Sequence, residues 1–145
     1  MITALFIGSV MVVATIVVEA LMLGTAINAL RHHGHRFAHL HLVSRTIVFL
    51  SSLSVWLLLG ITIAVWLWGA LFIVLGEFQS LNDALYFSIV TATTLGYGDI
   101  VLKDEWRLLS GMLAANGLFL FSLNTAFIFE VFRRILETEQ SDQPT

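Results

Sequence analysis

The sequence has no cysteine, and only 12% of its residues are charged. Without cysteine there is no disulfide framework, no thiolate zinc site and no cysteine nucleophile, and the redox compartment leaves no mark on the chain. The scarcity of charge excludes more. Hydrophobic residues make up 58% of the 145 positions, a balance no ordinary water-soluble domain of this size carries on its surface. The net charge is only −3, and the charges stand between apolar runs, so no nucleic-acid partner is expected and no soluble partner is implied. The length suits a single domain. The composition is that of a membrane protein.

No Lys or Arg precedes Arg31, so the apolar N-terminus lacks the basic start of a secretory signal. Residues 1–30 are longer than the ~30 Å hydrocarbon core requires and read as a retained spanning helix. Glu19 lies well inside it. An acid at that depth is a functional candidate facing protein or water; the plainer reading is a protonated or snorkelling side chain near a shifted helix end. Residues 31–45 hold all five histidines. His32, His35 and His39 share one helical face, which suits a proton sensor or metal site. The plainer reading is a mildly basic segment at the lipid headgroups.

Residues 46–76 contain no charge and form a second span longer than the core, with Trp66 and Trp68 placed for an interfacial aromatic belt. Ser51, Ser52, Ser54 and Thr62 can bond back to their own helix. Residues 81–93 make a helix of only about 20 Å, too short to cross. Ser80-Leu-Asn-Asp83 has the shape of a capped helix start. Residues 106–135 form the last span, with Trp106 at its interface and Gly111 and Gly117 interrupting it. Residues 136–145 are a short polar tail.

Between the short helix and the last span lies Thr91-Ala-Thr-Thr-Leu-Gly-Tyr-Gly-Asp99. If the backbone turns the carbonyls of Thr94, Leu95, Gly96, Tyr97 and Gly98 toward one axis, they form a row of ligands. Gly96 and Gly98 permit the unusual dihedrals this needs. The alternative is a plain Gly-rich turn between helices. Four copies of the row, with the Thr94 hydroxyl below it, would make oxygen cages that replace water around a dehydrated cation.

The segment from Ala84 to Asp99 resembles the pore helix and selectivity filter of the tetrameric pore-loop potassium channels, here with an additional N-terminal helix. The resemblance implies an all-α membrane protein with three transmembrane helices and a re-entrant pore helix per chain, assembled as a fourfold homotetramer in the lipid bilayer. It implies a passive channel and no enzyme, with no cofactor and with potassium at the filter as the permeant ion. Leu95 stands where many members have Val or Ile, a mild departure because its carbonyl does the coordination. Tyr86 and Phe87 match aromatic cuff positions that, with Val90, Thr93 and Asp99, support the filter. Some bacterial members have Glu at the place of Val90, so Asp99 needs another partner, and Tyr86 is the candidate. Gly117, 18 residues after Asp99, lies close to the family's inner-helix hinge, and Leu118, Phe121, Thr125 and Phe129 share the face that would line the pore. The alternative is that these four are ordinary packing residues.

Five of the seven basic residues (Arg31, Arg36, Arg45, Arg133 and Arg134) lie on one side and Lys103 and Arg107 on the other. Positive-inside places the C-terminus in the cytoplasm and the N-terminus outside the cell membrane. The outer segment also carries Glu77, Asp83, Asp99, Asp104 and Glu105, an acidic mouth. No helix has Arg or Lys at every third position, so a voltage sensor of the usual kind is absent. A non-selective cation channel would break the Gly-Tyr-Gly row, and pore-loop transporters carry four repeats in one chain. A non-conducting regulatory subunit could keep the motif. An intramembrane enzyme would need more than Glu19.

Overall fold

A computed structural model describes the backbone of residues 1–33 and 42–141, and the side-chain surroundings of residues 1–29 and 46–137. Four helices follow one another: α1 (Ile2–His33), α2 (Leu42–Val74), α3 (Leu81–Ala92) and α4 (Arg107–Ser141). Among the described residues there is no β-sheet. Three stretches are long and apolar enough to cross a membrane: Ile2–Ala29, Thr46–Val74 and Arg107–Glu137. At 12 residues α3 extends about 18 Å and cannot cross. The chain is an all-α, multi-pass membrane protein with a re-entrant helix. His35 and His39 lie outside the described residues, and of His32 only the backbone is described.

Each helix ends for a local reason. After Val74 the chain turns at Gly76, whose φ of +72° is left-handed. The Gly76 amide donates to Ile73 O and the Glu77 amide to Phe72 O, at 3.0 Å each. That pair of bonds is a Schellman stop, which favours glycine at this position. Ser80 caps α3 with an extended backbone, but its side chain makes no capping bond, contrary to the capping box expected. Asp83 does stand in the first turn, beside the positive end of the helix. The last helix runs on to Ser141, past Leu136 where a polar tail was expected. Glu130 pairs with Arg133 and Arg134, and Arg133 with Glu137, one turn apart, which carries the helix beyond its apolar stretch.

α1 and α3 both pack on the α2–α4 pair. The register of Glu19 with Gly60 and Asn124, and of Thr15 with Asn116, sets α1 antiparallel to α2 and parallel to α4. The inner face of α1 carries Ala4, Gly8, Thr15, Glu19 and Ala26, mostly small residues that allow close approach. Its other faces expose Phe6, Val10, Val13, Val17 and Leu21, as a lipid-facing surface would.

One apolar core gathers Trp68, Phe72, Phe87, Leu109, Leu113 and Leu120. A smaller one joins Ala26, Leu53, Leu57 and Val131. Between them, in sequence register, lies a polar layer of Thr15, Glu19, Asn116 and Asn124, all buried. Two expectations change here. Trp68 is fully buried rather than interfacial, and only Trp66 faces outward. Glu19 does not snorkel: it is fully buried against α2 and α4. Ser52 and Thr62 do bond back to Val48 O and Leu58 O.

Trp68, Phe72, Phe78 and Phe87 form one aromatic block behind α3, with the Phe72 and Phe87 rings edge-to-face at 5.3 Å. Phe72→Ala removes the ring that touches the other three, and should destabilise the fold by about 3–5 kcal/mol. Thermal unfolding in detergent measures this, and an unchanged midpoint would mean the block can collapse around the gap.

Candidate functional site

α3 ends at Ala92, and the strand that follows uses the end of that helix as its backing. Thr93 caps the helix and turns its hydroxyl back to Ile89 O at 2.8 Å. The Thr94 amide donates to Thr91 O at 2.9 Å. The amides of Leu95 and Gly96 both donate to Val90 O, at 3.0 and 3.1 Å. The filter's own N–H groups thus satisfy carbonyls that every helix C-terminus leaves open. Val90, where some relatives of the potassium channels carry Glu, contributes its main chain here.

Left-handed residues alternate along the strand: φ is +61° at Thr94, +53° at Gly96 and +78° at Gly98. Alternation of right- and left-handed dihedrals gathers N–H groups on one side of a backbone. The carbonyls then face the other way. Among the described residues no hydrogen bond ends on a main-chain carbonyl from Thr94 to Gly98. Among the described residues Thr94 is the one non-glycine with positive φ, a conformation costing about 1–3 kcal/mol that only a fixed surrounding maintains. All residues from Thr93 to Asp99 are exposed in the single chain. A row of outward-turned oxygens without hydrogen bonds is an acceptor surface, open to water or to a cation.

The strand is held at both ends. Tyr86 Oη donates to Asp99 Oδ2 at 2.8 Å, the pairing named from the sequence. That hydrogen bond to the Asp99 carboxylate raises the Tyr86 hydroxyl above its usual pKa. Phe87, expected in the same cuff, points the other way, into the aromatic block. Beyond Asp99, Leu102 is buried, and the Lys103 amide donates to Glu77 Oε2 at 2.9 Å while its ammonium lies 3.3 Å from Glu77 Oε1. Glu77 is 3% exposed, so this acid clamps the return loop to the end of α2 and does not belong to the open mouth. Asp83, Asp99, Asp104 and Glu105 remain exposed there, with Asp104 paired to Arg107.

α4 passes behind the start of the strand without a break at Gly117. A Cβ there would fall on the Ala92 carbonyl oxygen and lie 2.7 Å from its carbon. Gly117 is therefore a point where two backbones touch. Leu118, Thr125 and Phe129 are exposed, whereas Phe121 on the same face is half-buried and packs against the apolar core. Phe121 and Thr93 border an apolar cavity of about 250 Å³ between α2, α3 and α4.

Residues 40–134 match a family model described as "Ion channel". The chain belongs to that family. The channel match covers α2, α3, the strand and most of α4, and leaves α1 outside. Compared with curated proteins and with solved structures, the chain matches none. Its activity is ion conduction across a membrane, which points away from an enzyme. Among the described residues no group of His, Cys, Asp and Glu could hold a metal ion.

Sequence reasoning passed over Asn116, Asn124, Gly60 and the Glu77–Lys103 clamp. Asparagines inside an uncharged span are a readable signal, since polar side chains at membrane depth bond to neighbouring helices. A clamp between distant loops leaves no such trace.

Two substitutions test the site. Gly117→Ala drives a side chain into the backbone of α3 and should cost about 1–3 kcal/mol, read as a lower unfolding midpoint together with weaker ion flux. Unchanged values of both would mean the helices part freely. Tyr86→Phe removes the bond to Asp99, and conduction should then run down faster in long recordings. A wild-type time course would show that Asp99 is held by something else.

Proposed function

We propose that the chain is the subunit of a potassium-selective channel in which four copies surround one axis, each contributing Thr94, Leu95, Gly96, Tyr97 and Gly98. The observation that carries the reading is the alternation of left-handed dihedrals at Thr94, Gly96 and Gly98, with the amides used behind the strand. Stacked carbonyl rings replace the hydration shell of K⁺, and ions pass in single file, each pushing the next. A closed cage needs identical strands related by rotation, which a homotetramer with cyclic symmetry supplies.

The Thr94 end faces the cytoplasmic cavity and Asp99 the outside of the cell membrane, in keeping with the excess of Arg at the C-terminus and in the histidine-rich segment. Asp83, Asp99, Asp104 and Glu105 concentrate cations at the outer mouth. α4 lines the inner pore with Leu118, Phe121, Thr125 and Phe129, and Phe129, 66% exposed in one chain, forms the narrowest ring. Gly117 lets α4 adjust its direction at the level of the filter.

Purified protein in liposomes should pass K⁺ far faster than Na⁺ and be blocked by barium. Equal leakage of both ions would replace this reading by a non-selective cation channel. No flux from a correctly assembled particle would replace it by a regulatory subunit. Phe129→Ala should raise open probability in single-channel recordings, and unchanged occupancy would remove Phe129 from the gate.

A further inference from the structure

Gly117 and the residue before it, Asn116, grip different helices. Asn116 Nδ2 donates to Thr15 Oγ1 of α1 at 2.7 Å, and both side chains are buried. The Thr15 hydroxyl in turn lies 3.0 Å from Met11 O and 2.9 Å from Val12 O, within donating reach of its own helix. On the neighbouring side of α4, Gly117 rests on Ala92, the last residue of α3, from which the filter strand begins. Farther along α4, Asn124 faces the Glu19 carboxyl. That carboxyl lies so close over α2 that a Cβ on Gly60 would stand 2.5 Å from Oε2. α1, which lies outside the channel match, therefore meets α4 at two levels, of which the Asn116–Thr15 contact is a hydrogen bond and the Asn124–Glu19 contact is not.

We propose that Thr15 and Asn116 are positioning residues for the filter: their hydrogen bond fixes α4 laterally where its backbone supports the end of α3. The inference rests on the potassium-channel reading above. Gly117 has no side chain to interlock with α3, so that contact cannot by itself stop α4 from sliding or rotating. An apolar contact from α1 would be a poor stop as well, because lipid tails are as apolar as the side chains they replace. A directed bond between a hydroxyl and an amide is different. No water competes for either group in the bilayer core, and breaking the bond leaves polar atoms without partners.

The test uses the full chain in liposomes, comparing wild type with Thr15→Val and Thr15→Ser while the assembled oligomer is quantified by size exclusion. Val keeps the shape and removes the hydroxyl; Ser restores it. The K⁺-to-Na⁺ flux ratio should fall about threefold in T15V, the factor set by one interhelical bond of average strength, and return in T15S. An assembled T15V with the wild-type ratio would overturn the proposal and leave α1 as an anchor only. Because the chain has no native cysteine, Thr15→Cys with Asn116→Cys gives a second test in one folded protein. The oxidised pair should keep the higher ratio and the reduced pair the lower, and equal ratios would overturn the proposal. A wild type that leaks both ions equally would instead remove the channel reading beneath it.

Discussion

The carbonyl oxygen of Val90 accepts two amide protons, from Leu95 and Gly96, and the usefulness of the whole chain follows from that sharing. With the amides of Thr94, Leu95 and Gly96 committed to the helix behind it, the first half of the strand has only its carbonyls to offer in front. The arrangement settles two debts together, since the C-terminus of α3 needs donors and the strand needs its donors hidden. Its cost is concentrated at Thr94, a side chain held in a left-handed backbone. Glycine there would relieve the strain and lose the hydroxyl, which makes no bond among the described residues. Strain kept where the surroundings over-determine it marks a working site rather than an accident of packing.

Everything around the strand limits how far it can move. The aromatic block presses α3 from the side of α2, the Glu77–Lys103 clamp ties the return loop to the end of α2, and Tyr86 holds Asp99. These supports differ in kind. Ring packing acts through shape and survives small shifts, whereas the clamp and the Tyr86–Asp99 bond are directional. The polar layer between the apolar cores has the same character on the far side of α4. In a bilayer, burial of apolar groups discriminates little between one helix arrangement and another, so position is specified by small residues and a few polar pairs. Gly60, Gly117, Thr15 and Asn116 are residues of those kinds.

The helices were legible because uncharged runs of this length have one meaning in a membrane, and the short α3 because it cannot cross. The left-handed positions at Gly96 and Gly98 were legible from glycine's freedom to take them, whereas the one at Thr94 carries no such mark. What failed to show in the sequence was direction. Trp68 and Trp66 are two residues apart, and only tertiary packing decides that one is buried and the other is not. Phe87 follows Tyr86 yet faces away from the strand, since neighbours on a helix lie about 100° apart. Glu19 was visible as an intramembrane acid, but the seat that receives it is a glycine on one helix and an asparagine on another, and only contact in space joins them.

A single chain leaves its most constrained segment uncovered. The carbonyls of Thr94 to Gly98 have no partner among the described residues, and non-helical backbone at membrane depth is tolerated only when protein or water surrounds it. Lipid cannot be that surround, and the proposed assembly of several copies about a wet axis would supply it. The same enclosure explains why Leu118, Thr125 and Phe129 stay exposed on a helix whose opposite face is well packed. Burial within one chain and exposure toward an axis are then parts of one requirement: the backing of the strand can be built by a single chain, but its front acquires a function only when several fronts meet.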